Sequence, residues 1–217
     1  MSKKVKFNSI DINVGFMHPK PAIKDLPEWY KDLPSVNNGQ ETVKKCMPFM
    51  DAMGTGYFLY LSADVYVDRN GFQQISDPEV VTTHNPNQIE TFEVPAEYLG
   101  TPYKWMNFFT MKTPRGYSTL FTHPMNRIDL PFYSLSGVVE TDKFELAVNF
   151  PFLLKKDFTG IINAGTPIIQ ALPFKRTDWE SEVEDEEQIK LPTYRHTMHN
   201  PPFGFYKKHF WERKKYL

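Results

Sequence analysis

The sequence predicts a mainly β fold, a jelly-roll-like sandwich or short barrel with short helices, flanked by an N-terminal arm and a C-terminal helical tail. Three observations carry this reading. Proline outnumbers glycine, 18 residues to 11, and prolines at short intervals break helices before they lengthen. Short apolar runs recur between turn signals at about the 8–12-residue spacing of sandwiches and barrels. The apolar fraction is 41%, enough to bury a core and to offset the entropy of ordering the chain, which excludes disorder for most of it. Three regions follow: a strand and proline-rich arm over 1–40, a β-rich core over 41–179, and an acidic link with a basic aromatic tail over 180–217.

Residues 5–15 (VKFNSIDINVG) alternate apolar with polar, the period of a half-buried strand. In the arm, Pro19, Pro21, Pro27 and Pro34 forbid a long helix. Pro27 suits the first position of a single helical turn, and Trp29 and Tyr30 are expected to pack the arm onto the body or a neighbour. Thr42 is placed to cap a short helix in which Val43, Met47 and Met50 share one face. Pro48 should kink or break it, and Gly54 and Gly56 should end it. Cys46, within this apolar stretch, reads as a small buried hydrophobe rather than an activated thiolate.

YFLYLSADVYV (57–67) reads as one strand, DRNG (68–71) as a turn and FQQIS (72–76) as the returning arm. Residues 79–94 read as strand, loop and strand, and PAEYLG as a single turn. KWMNFFTMKTPRGYSTLFTHPMNR (104–127) reads as a hairpin over about 105–122, folded at Thr-Pro-Arg-Gly. A short strand at 132–139, a longer one at 144–154 and IIQALPF (168–174) complete the set.

Composition excludes several function classes. Basic and acidic residues nearly balance, 25 to 26, without the basic excess that grips phosphate backbones, so nucleic acid is not an expected partner. A single cysteine leaves no intrachain disulfide and no Cys-rich metal site, and suits a reducing cytoplasm. MSKKVKFNSIDINV has no apolar targeting core and no run reaches membrane-spanning length, so a cytoplasmic, membrane-free protein is expected. The phosphate-loop, dinucleotide and Gly-x-Ser-x-Gly patterns do not occur. Six histidines stand at 18, 84, 123, 196, 199 and 209. None forms the alternating pair that would put two ligands on one strand face, and Asn200-Pro201-Pro202 stops a helix after His196 and His199. No metal and no cofactor are therefore expected.

Two constellations are candidate ligand sites. The strand YSTLFT ends at His123-Pro124, because proline cannot continue a central ladder. Asn126, Arg127 and Asp129 then fall in the strand-end loop, where functional residues concentrate. Arg127 is expected to pair with Asp129, or with Asp142 from VVETD. The second constellation is Lys175-Arg176 with Asp178 and Trp179. Two cations beside an indole suit a carboxylate, a phosphate or a sugar face. Alternatively, Trp179 anchors the departing chain on the barrel end. Beyond it, TDWESEVEDEEQIK carries seven acidic residues, and YRHTMHNPPFGFYKKHFWERKKYL interleaves basic with aromatic side chains. Such a tail suits docking onto the body or a neighbouring subunit, with Tyr206, Phe210 and Lys214 on one stripe and Trp211 beside it.

WMNFFTMKTPRGYSTLFTHPMNR, FYSLSGVVETDKFELAVNFPFLLKK, GIINAGTPIIQALPFKRTDWE and GFYKKHFWERKKYL together resemble an uncharacterised family of bacteria and tailed phages, catalogued only as a domain of unknown function. The resemblance covers the chain from about residue 20 onward. It implies a β-rich domain, a bacterial or phage origin (host cytoplasm in the second case), and no catalytic residues to carry over. AGTPIIQALPF also looks like the Gly-x-x-Ile-Ala-Gln-Leu strand entry of trimeric dUTPases. The nucleotide-holding Pro-Arg-Ser-Ser and the Gly-rich terminal arm of those enzymes do not occur here, so this similarity implies shared strand-and-turn grammar only.

Two functions follow from these readings. The first is a non-catalytic binding or assembly module that self-associates, or meets a protein partner, through its aromatic arm and tail. The second is a cupin-like small-molecule enzyme with a site at one barrel mouth near His123 to Asp129, built from His123, Asn126 and Arg127, with Asp142 as an optional further member.

Overall fold

The structure is a computed structural model that describes residues 3–10, 17–69, 71–73, 79–85, 87, 93–183 and 205–216. Its strands are β1 (Lys6–Ser9), β2 (Lys20–Pro21), β3 (Val36–Asn37), β4 (Gln40–Glu41), β5 (Tyr57–Tyr60), β6 (Val65–Asp68), β7 (Gly71–Gln73) and β8 (Val81–Thr83). These are followed by β9 (Tyr103–Trp105), β10 (Phe109–Lys112), β11 (Tyr117–Thr122), β12 (Phe132–Ser134), β13 (Gly137–Val139), β14 (Phe150–Leu154), β15 (Gly160–Ile162) and β16 (Pro167–Lys175). Helices are short: α1 (Glu28–Asp32), α2 (Met47–Gly54) and α3 (Phe205–His209). A five-stranded sheet runs β13-β11-β16-β5-β2 and a four-stranded sheet β12-β14-β9-β8, with a smaller β15-β6-β7 sheet beside them. Every described pairing is antiparallel. This is the mainly β, jelly-roll-like sandwich that the sequence predicts.

The core lies between the sheets. Trp105 stacks flat on Phe152, with centroids 3.7 Å apart, and Phe132 meets Trp105 edge-on. Phe121 of β11 packs against Phe150 of β14 at 5.2 Å, with Leu59 and Ile169 completing the layer. Such aromatic pairs contribute about 0.5–1.5 kcal/mol beyond the area they bury. Between the sheets, the Ser134 hydroxyl donates to the Ile168 carbonyl at 2.7 Å.

Strand β16 explains its own sequence. It lies between β11 and β5, and Pro167 through Ala171 are all buried. A strand covered on both faces reads as a continuous apolar run rather than an alternation. The buried exception is Gln170, opposite Thr122 on β11 and Phe58 on β5. Its amide donates to the carbonyls of Ala52 (2.8 Å) and Thr55 (2.6 Å) and accepts from the Met125 N–H (2.8 Å). Only this orientation of the amide faces its oxygen to a donor and its nitrogen to two acceptors. Nearby, Gly56 has φ +76°, and a Cβ there would sit 2.2 Å from the Ala171 carbonyl oxygen, so this corner requires glycine.

Several sequence expectations need correction. The run 57–67 is two strands in two sheets. At Leu61 the chain bonds to the 163–166 turn (Leu61 N to Thr166 O, Gly165 N to Leu61 O), and Asp64 accepts from the Ala164 N–H. The run 105–122 is not a hairpin: β10 pairs with β1, whereas β11 takes β13 and β16 as neighbours. The Thr113–Gly116 turn carries the chain from one sheet to another. The stretch 132–139 is also two strands, and 144–154 is strand only from Phe150.

Thr42 does cap, accepting from Lys44 N, but the cap opens a 3-10 turn (Val43–Lys45) that ends before α2, whose first turn holds Pro48. Val43 is consequently exposed while Met47 and Met53 are buried. Cys46 sits at this junction facing solvent rather than the core. The register Asp68↔Gly71 gives the turn expected at 68–71. The expectations for 11–15, 74–76 and 88–92 fall wholly or mostly outside the described residues.

Arm and tail both pack on the body. Tyr30 is buried against Phe49, Trp29 meets both edge-on, and Lys44 donates to the carbonyls of Tyr30 and Lys31. In the tail, the Trp211 indole and Lys214 ammonium both donate to the Asp51 carboxylate of α2 at 2.8 Å, and Tyr216 meets Tyr57 edge-on. Docking therefore uses Trp211, Lys214 and Tyr216, while Tyr206 and Phe210 stay exposed. Among the described residues, no helix is long and apolar enough to cross a membrane.

Replacing Gln170 by leucine keeps the apolar contacts and strands three backbone groups. At roughly 1–3 kcal/mol for each buried group left without a partner, Gln170→Leu should lower unfolding free energy by about 3 kcal/mol or more in denaturant titration. A loss below about 1 kcal/mol would show that water replaces the amide.

Candidate functional site

At the end of β11 the chain makes a tight turn closed by the Arg127 N–H donating to the Pro124 carbonyl. Asn126 takes positive φ (61°), which asparagine tolerates better than most residues. Its side-chain amide reaches toward the Phe49 carbonyl at 3.4 Å. This turn, with α2 behind it and β12 beside it, forms one wall of a cleft of about 490 Å³. Tyr98 and Lys155 complete the opposite side, where an isolated bridge joins them.

His123 braces the cleft. Its Nδ1 accepts from the Ser134 N–H at 3.2 Å, and its Nε2 donates to the Arg127 carbonyl at 3.1 Å. Those partners assign the neutral tautomer with the proton on Nε2. The ring stacks on Tyr133 with centroids 4.9 Å apart. Burial pushes the imidazole below its ordinary value, and the nearby Arg127 charge acts in the same direction, against the bond to the Arg127 carbonyl. Both nitrogens are spent on backbone, so His123 offers neither a free base nor a metal-ligand lone pair.

Arg127 pairs with Asp129, Nε and Nη2 lying 2.9–3.1 Å from the carboxylate oxygens. Burial raises the Asp129 carboxyl, but the guanidinium outweighs it and the net displacement is downward. Lys155 donates to the Ile128 carbonyl at 3.0 Å and holds the loop over the opening. Because Asp129 neutralises much of Arg127, Lys155 is the principal cation of the cleft. The remaining lining is aromatic and aliphatic: Tyr98, Tyr133, Phe132, Leu130, Ile128 and Met125.

The structure brings His123, Asn126 and Arg127 together, and places the other sequence candidates elsewhere. Asp142 does not join the barrel mouth. Its carboxylate takes Arg176 bidentately, at 2.9 Å and 2.5 Å, and accepts from the Gly116 N–H at 2.8 Å. The guanidinium, then the Gly116 amide, hold that carboxyl well below the usual range. Arg176 also donates to the Tyr117 carbonyl and the Ser118 hydroxyl, so it locks the turn end of β11. Lys175 ends β16 exposed to solvent. Trp179 does not anchor the departing chain: its side chain is 89% exposed. His196, His199 and most of the acidic run lie outside the described residues. Sequence reasoning missed Tyr98, Tyr133 and Lys155, which only the long-range bridge 98–155 and the β12–β14 pairing bring to the loop.

Two measurements test these assignments. A folded-state value below the unfolded one means the unfolded chain binds the His123 proton first. The stabilisation is therefore full above about pH 6.5 and is lost as pH falls through the lower folded-state value. The denaturation midpoint should fall between pH 7.5 and 5, and more steeply than in His123→Gln. Identical slopes would refute a buried neutral imidazole. Asp142→Asn should lower Tm by several degrees, because it removes the ion pair; an unchanged Tm would make that pair incidental.

No family model matches the chain, and no curated protein matches it. Among solved structures, a mutant dUTPase from phage phi11 of S. aureus, described for its coordination of a structural Mg(II) ion, overlaps 86% of this chain and 99% of its own. The overlap is loose, at 9% identity and a TM-score of 0.37.

Proposed function

We propose that the chain is a non-catalytic binding and assembly module whose recognition surface is the cleft between His123 and Lys155. One observation carries this reading: an aromatic and aliphatic lining with Lys155 and Arg127 as its charges and no carboxylate among the lining residues. Pockets of this size that combine apolar walls with a few convergent polar groups hold small ligands or anchor side chains. The chemistry selects a flat apolar group beside an anion. The ring stacks on Tyr133 or Tyr98, and the anion meets Lys155. The enzyme alternative needs an available nitrogen on His123, and both ring nitrogens are committed to backbone partners; its optional carboxylate, Asp142, is held by Arg176. A cytoplasmic setting, in the host if the chain is phage-encoded, agrees with this reading.

N-acetyl-L-tryptophan, an indole with one carboxylate, is the simplest probe. Saturable binding should shift the amide signals of Ile128 and Tyr133 in NMR titration. Lys155→Glu should weaken it about tenfold, equal to roughly 1.4 kcal/mol. Absence of saturable shifts, or equal binding by the variant, would refute the cleft as an anion-selective aromatic site.

A further inference from the structure

After Arg176 the chain leaves the sandwich without regular structure, and residues 177–183 are all exposed. This stretch carries Trp179 and Val183, 89% and 96% exposed, alternating with Asp178, Glu180 and Glu182. An indole left wholly in water gains nothing for its own fold, whereas tryptophan dominates contacts between proteins once a pocket buries it. Its acidic neighbours set the partner's chemistry: an apolar pocket with cationic polar groups. The cleft beside Lys155 has that character, and its lip residue Ile128 is 86% exposed.

In this structure the two features do not meet within one copy, since Trp179 stands 89% exposed. In the β11–β16 ladder, Lys175 lies opposite Tyr117, whereas the cleft opens beyond Thr122 at the other end. Five residues of strand separate those ends by about 17 Å, at roughly 3.4 Å each. From Arg176, which the Asp142 pair holds at the Tyr117 end, three residues reach at most about 10 Å.

Resting on the cleft reading above, we infer that its occupant is the Trp179 segment of a second copy of this chain. The indole of one copy lies against Tyr133 and Leu130 of the next, and Asp178 or Glu180 meets Lys155. Because donor and acceptor are different patches, the contact is head-to-tail and propagates until a ring closes.

The test is the solution mass of the full-length chain, by light scattering across a hundredfold concentration range. The wild type should gain mass with concentration. Trp179→Ala and Lys155→Glu should each weaken association at least tenfold. Combining Lys155→Glu with Glu180→Lys should restore it. Trp179 is 89% exposed, so Trp179→Ala should melt with the wild type, which guards against misfolding. A wild type that stays monomeric throughout overturns the inference, as does association that survives Trp179→Ala. Binding of N-acetyl-L-tryptophan by a monomeric wild type would then sink the self-occupant while sparing the cleft reading, and failure of both would remove both.

Discussion

The amide of Gln170 is the constraint on which the rest of the molecule hangs. A polar side chain within the buried run of β16 is costly unless every hydrogen-bonding capacity of the buried groups around it is used. Here one amide engages three backbone groups from two other places in the chain. It fixes the C-terminal turn of α2 over β16 and pins the first residues of the loop that carries Asn126 and Arg127. The apolar contacts of the sandwich would tolerate sliding of α2 by a fraction of a turn, since dispersion and burial are weakly directional. Three hydrogen bonds to one buried atom group would not. The position of the cleft is thus a consequence of core chemistry, set before any cleft residue contributes.

Helix α2 carries that constraint outward in two directions. On one side, Ala52 lines the cleft and the Phe49 carbonyl faces Asn126. On another, Asp51 accepts from both Trp211 and Lys214 of the tail. Eight residues therefore connect the tail, the arm (through Phe49 against Tyr30) and the loop that carries Asn126 and Arg127. The first turn of this helix holds Pro48, and just past its end stands Gly56, whose conformation only glycine adopts without strain. A short helix with both ends specified is stiffer than its length suggests, and stiffness at this point keeps the cleft preformed.

Much of this was legible in residues and some could not be. The fold class was legible because proline density and recurrent short apolar runs act locally. So were the Thr42 cap, the helical turn after Pro27 and the strand at 168–174. The break of 57–67 into two strands was not, since the bonds that impose it come from Asn163 to Thr166, about a hundred residues later. The quoted hairpin failed for a related reason: turn chemistry at Thr113–Gly116 specifies a reversal but not which sheet receives the second run. At the site, His123, Asn126 and Arg127 were found from a strand that ends at proline. Asp142 was misplaced because a lone carboxylate in sequence does not reveal which guanidinium claims it. Cys46 and Trp179 were expected to be covered, and exposure is a property of the neighbours rather than of the residue.

The near-zero net charge hides a separation that matters more than its sum. Carboxylates concentrate in the segment leaving β16, whereas the cleft end presents Lys155 and Arg127 with rings and aliphatic side chains between them. A sheet strand separates the described acidic residues Asp178, Glu180 and Glu182 from the cleft, at the far end of the β11–β16 ladder. The basic tail is partly consumed at Asp51, and the Arg176–Asp142 pair closes the turn at the Tyr117 end. Among the described residues, an aromatic-acidic projection and an aromatic-basic recess lie toward opposite ends of the same two strands. Under the proposed head-to-tail contact, a surface divided in this way would meet its complement on a second copy, and the strand length between the two ends would set the spacing of successive copies.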